Sequence, residues 1–62
     1  MYSKIAELLK EKGLTFSDLS RLTGVADNVF SNLKKRGGYL SLESANKVAK
    51  ALEIPIEKLL ED

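Results

Sequence analysis

The spacing around Gly24 in "DLSRLTGVADNVFSNL" constrains this chain more than any other feature. Ser20 lies four residues before that glycine, and Phe30 and Leu33 lie six and nine residues after it. Glycine admits the left-handed backbone of a tight turn, and a small residue one helical turn earlier lets a second helix pack closely across the first. Phe30 and Leu33 then insert behind the turn. The helix ahead of Gly24 has room for only about eight residues, and isolated helices shorter than about 12–15 residues are marginal in water. It must be clamped by neighbours, so two short helices crossing steeply form the nucleus around which the rest has to close.

The remaining elements are read from caps and periodicity. Ser3 is placed to cap a first helix in which Ile5, Leu8 and Leu9 recur at helical spacing, with Gly13 just past its end. Thr15 opens the second helix, and Asp18 follows three residues later, close to a capping box. Leu19 and Leu22 are expected to supply its buried stripe, with Gly24 ending it. "ADNVFSNLKKR" forms the third helix, closed by Gly37 and Gly38. Ser41 opens a fourth, in which Leu42, Ala45, Val48, Ala49 and Leu52 share one face. Pro55 stands near the start of a short fifth helix carrying Ile56, Leu59 and Leu60. No alternation with a period of two is long enough for a strand. The expected fold is all-α, a compact five-helix single domain over residues 1–62 with a central helix-turn-helix at 16–36.

Composition narrows the functional classes. A chain of 62 residues buries only about 60% of its unfolded surface. It has no cysteine and no histidine, which removes disulfide frameworks and the usual zinc sites. Its core must come from efficient packing or from a second chain. Neither catalytic His or Cys nor room for a pocket of about 300 Å³ is expected, so an enzyme, a cofactor, a metal and a small-molecule substrate are all read as absent. No apolar run approaches the roughly 20 residues of a membrane span, and "MYSKIAELLKEK" lacks the apolar centre of a signal peptide. With no membrane partner indicated, a cytoplasmic location is the expectation.

The net charge of +1, from ten Lys/Arg against nine Asp/Glu, gives no global pull on nucleic acid. Distribution carries more information. Lys34, Lys35 and Arg36 are adjacent, while Glu53, Glu57, Glu61 and Asp62 load the C-terminal end. A basic triplet is ordinarily a solvated helix end favoured by the negative pole of the helix dipole, and gains meaning only from its neighbours. On a wheel of the third helix, Val29, Phe30 and Leu33 fall on one side. Asp27, Asn28, Ser31, Asn32 and Lys35 fall on the other, with Lys34 and Arg36 at the borders. Asn, Asp and Ser are poor helix formers, and a merely solvated face favours Glu, Lys and Gln. The outward face therefore reads either as a contact surface or as a helix start capped by Asp27 and Asn28.

With the helices placed, the chain resembles the phage-repressor and Cro-like (xenobiotic-response-element type) helix-turn-helix family from about Ile5 to Leu60. The resemblance lies in "LLKEKGLT", "DLSRLTGV" and "LSLESANKVAKALEIPIEKLL" at the appropriate distances. It implies a lambda-repressor-like fold that binds double-stranded DNA as a transcriptional regulator, usually a repressor. Its third helix, 27–36, would enter the major groove, with a homodimer on a pseudo-palindromic operator. Carried across by position, Asp27, Asn28 and Asn32 match base-reading places, with Val29 and Ser31 beside them. A carboxamide can pair with both N6 and N7 of adenine, and Val29 can meet a thymine methyl. Lys34, Lys35 and Arg36, with the amides of Gly37 and Gly38, match a phosphate-gripping segment. Thr15, Phe16 and Ser17, at the start of the second helix, match another.

Two positions depart from the family pattern, which commonly has Gln where this chain has Phe16 and Asp27. Asp27 either accepts from cytosine N4 or serves as the N-cap, because Ala26 has no capping side chain. Phe16 either packs inward or offers an apolar contact. The competing functions are a helix-turn-helix domain used for protein contact through Phe16, Tyr39 and Leu40, and an antitoxin-type autorepressor.

Overall fold

The computed structural model describes residues 1–60, so the acidic Glu61 and Asp62 lie outside the described residues. Five helices follow one another: α1 (Tyr2–Lys12), α2 (Phe16–Thr23), α3 (Asp27–Arg36), α4 (Leu42–Ala51) and α5 (Ile56–Leu60). No strand occurs among the described residues. α2 packs against both α3 and α4, α1 packs on α3, and α5 on α4. Every helix contributes to one core. Ile5, Leu19, Val48, Leu52 and Leu59 are completely buried, with Leu9, Phe30, Leu33 and Ala49 around them and Val25 from the turn. No polar or charged residue is buried among them, so the core carries no desolvation cost from unpaired groups.

The helix ends follow the sequence closely at α2 and α4. Thr15 Oγ1 accepts from the Asp18 amide at 3.1 Å and Asp18 Oδ2 accepts from the Thr15 amide at 3.0 Å, a complete capping box. Ser41 Oγ accepts from the Ser44 amide at 3.3 Å at the start of α4. The expected cap at Ser3 is not formed. α1 begins two residues earlier, with Met1 as an N-cap that makes no side-chain bond, and the Met1 carbonyl accepts from Ile5 at 3.1 Å. The Tyr2 ring in this first turn is stacked on Phe16.

Two leucines expected inside are outside. Leu22 is 62% exposed, and Leu42 is exposed as well. Leu22 lies a sixth of a turn from Leu19 on the wheel, and the neighbours of α2 leave it beside Leu14, Asp18 and Arg21 on an open face. Leu42 shares its direction with Ala49 but belongs to the first turn of α4, where no element reaches it. Open surface clefts of about 290–410 Å³ are present among the described residues.

Candidate nucleic-acid interface

The turn between α2 and α3 is locked by more bonds than the sequence indicates. Gly24 adopts the left-handed conformation, φ 74°, and its amide donates to the Ser20 carbonyl at 2.8 Å. The Ser20 hydroxyl donates to the Val25 carbonyl, so this residue is a tether as well as a small contact. Thr23, which sequence reasoning passed over, donates from Oγ1 to the Leu19 carbonyl at 2.7 Å and accepts from the Val25 amide at 3.1 Å. Val25, Phe30 and Leu33 are buried behind this turn. The orientation of α3 relative to α2 is therefore fixed by a hydrogen-bonded corner sitting on a packed core.

With Phe30 and Leu33 turned inward, α3 presents Asp27, Asn28, Ser31, Asn32, Lys34, Lys35 and Arg36 to solvent, and Val29 at 36% exposure marks the border. The helix forms a ridge between two clefts. On one flank Asp27, Ser31 and Lys34 face Ser17 and Phe16 of α2. On the other, Val29, Asn32 and Arg36 face Tyr39, Ser41 and Ser44 ahead of and within α4. Asn28 and Lys35, seven residues apart, stand on the crest between the two flanking rows.

The cations on this ridge are free of internal partners. The ion pairs among the described residues are Asp18 with Arg21 and Glu43 with Lys47, and neither involves Lys34, Lys35 or Arg36. They sit in the last turn of α3, where the helix dipole favours positive charge. The acidic group at the other end of α3 has a different place from the one expected. Ala26 is the N-cap and makes no side-chain bond, and Asp27 is the first helical residue. The turn tethered at Val25 sets where the helix begins, so Asp27 arrives one position too late to cap. Its charge lies instead beside the positive pole of the dipole.

Backbone donors divide similarly. The capping box uses the amides of Thr15 and Asp18, leaving those of Phe16 and Ser17 unpaired at the start of α2. The amide of Gly37 is not available for phosphate, because it donates to the Leu33 carbonyl at 2.8 Å in closing α3. The Gly38 amide has no such partner. Gly37 and Gly38 have φ of 74° and 83°, two consecutive positive-φ positions that suit glycine immediately after Arg36.

Phe16 packs inward. Its ring stacks on Tyr2 with centroids 5.0 Å apart and planes within 4°, and lies 5.6 Å from Phe30 at 49°. Leu40 also packs against the core, which leaves Tyr39, at 64% exposure, as the one member of the expected apolar contact trio that faces solvent. Sequence reasoning missed Tyr2 as part of this region, because nothing in the opening residues signals an aromatic stack with position 16.

A family model described as a Cro/C1-type HTH DNA-binding domain matches residues 4–62. No curated protein and no solved structure matches the chain.

Proposed function

The chain belongs to the Cro/C1-type helix-turn-helix DNA-binding family, and from that premise we propose a sequence-specific repressor that inserts α3 into the major groove. The observation that carries the reading is the α3 ridge: short hydrogen-bonding side chains along an exposed helix, unpaired cations at its end, and a cleft on each flank. A major groove about 12 Å wide admits one helix, and its bordering phosphate strands would occupy the flanking clefts. Asn28 and Asn32 are assigned to base edges, with Ser31 and Val29 beside them, and Asp27 to a cytosine N4 within its reach. Lys34, Lys35, Arg36 and the Gly38 amide are assigned to one phosphate strand. Ser17 and the free amides of Phe16 and Ser17 are assigned to the other.

Two copies are assigned to one pseudo-palindromic operator, as the half-site logic of such domains requires. The protein-contact alternative is less well supported, since Phe16 and Leu40 of its proposed surface are packed inward. Binding rather than catalysis is the proposed activity. Titration of Lys35→Gln against duplexes at several salt concentrations tests the assignment. Loss of one phosphate contact weakens binding to all sequences alike and reduces the salt slope by about 0.9. An unchanged slope would remove Lys35, and with it the placing of α3, from the interface.

A further inference from the structure

The cleft on the α2 flank has a third wall that comes from α1. Tyr2 lines it together with Ser17, Asp27, Ser31 and Lys34. The Tyr2 ring is half-buried and stacked on Phe16, which in turn touches Phe30 of α3, so two ring contacts register its position against the ridge. Its hydroxyl has no hydrogen-bond partner among the described residues, and it is not among buried unpaired polar atoms, so it meets solvent. A held phenol with an unused O–H is a pre-organised donor, because an aromatic side chain has only two torsions to fix. The Phe16 side chain brings no polar atom to this wall, and Tyr2 is the hydroxyl stacked upon it.

We infer that Tyr2 donates its hydroxyl to a phosphodiester oxygen of bound double-stranded DNA, extending the interface onto α1. The inference rests on the DNA reading above. The electrostatics of the cleft select where that phosphate sits. Lys34 and the free amides of Phe16 and Ser17 attract it into the cleft that Tyr2 lines, against the repulsion of the Asp27 carboxylate on the same lining. An O–H donating to an anionic oxygen is among the stronger hydrogen bonds, and a neutral donor displaces no counterion. Tyr2 therefore contributes affinity without sequence preference and without salt dependence, unlike Asn32 or Lys34.

Tyr2→Phe isolates the hydroxyl, since the ring and its stack remain. Binding of the wild type and the variant is measured by anisotropy on a duplex selected from a random library and on an unrelated duplex, across a salt series. The expected result is a loss of about tenfold on both duplexes with an unchanged salt slope. Repeating the titration on duplexes carrying a neutral methylphosphonate at single positions identifies the contact, because at one phosphate the difference between the two proteins disappears. Equal affinities on unmodified duplexes would overturn the role of Tyr2 and leave the DNA reading standing. A loss that persists at every methylphosphonate position would overturn it equally. If the wild type binds no duplex, both readings fall together.

Discussion

Gly13 and Glu53 occupy the same place in two copies of one helix ending. After α1, the Gly13 amide donates to the Lys10 carbonyl at 3.2 Å and Leu14 to Leu9 at 2.8 Å. After α4, Glu53 donates to Lys50 at 3.1 Å and Ile54 to Ala49 at 3.0 Å. Both are Schellman endings whose first residue past the cap is left-handed, φ 71° for Gly13 and 58° for Glu53. A side chain carries strain there that glycine does not. Glu53→Gly is expected to stabilise the fold by about 0.5–1 kcal/mol and raise Tm by several degrees in a thermal melt. A lower Tm would mean that the Glu53 side chain is worth more than its strain. Gly13 was readable in advance because glycine announces such a position, whereas a glutamate gives no sign of it. The N-cap alternative for Asp27 fails for a related reason. Capping preference is local, but the start of α3 is decided by the Ser20, Thr23 and Val25 bonds one turn away.

At the scale of the element, α2 shows how a helix of eight residues is kept in place. Its capping box was legible because both partners lie within four residues and are of the types such a box requires. Its burial was only half legible, since Leu19 and Leu22 carry the same local signal and the neighbours alone decide which one is covered. The Asp18 carboxyl is held below the usual carboxylate range by the hydrogen bonds from the Thr15 backbone and side chain, with a smaller contribution from the adjacent Arg21 guanidinium. A depressed pKa in the folded state means that the folded chain holds the proton less tightly than the unfolded one. The resulting stability is present above about pH 4 and is lost as pH falls through the folded-state value. Asp18→Asn is accordingly expected to lower Tm at neutral pH and to flatten the decline seen below about pH 4. An identical acid profile in the variant would show that the box contributes nothing to the linkage.

The whole molecule is an arrangement in which a small core holds one polar helix proud of the surface. A chain of 62 residues has a stability of roughly 3–9 kcal/mol on average figures, so the absence of buried polar groups matters to its persistence. The C-terminal apolar residues illustrate what sequence could and could not give. Leu59 is fully buried and Ile54 and Ile56 pack on the core, leaving Leu60, at 51% exposure, as the outward one. One leucine is far short of the roughly 1,200 Å² that a stable interface buries. Sedimentation with a cognate duplex is expected to give two copies of this 6.9 kDa chain on one operator. A single copy on that duplex would remove the paired arrangement. The fold was largely legible because its helices are marked by caps, glycines and periodicity. The interface was less so, since the spent Gly37 amide and the inward Phe16 depend on neighbours distant in the chain. Selection of bound duplexes from a random library at low salt, run in parallel with the wild type and Asn32→Ala, tests the central claim most directly. The wild type is predicted to enrich a defined sequence, and Asn32→Ala to weaken binding by about 1–3 kcal/mol while relaxing choice at one base pair. Enrichment of no sequence by the wild type would contradict it.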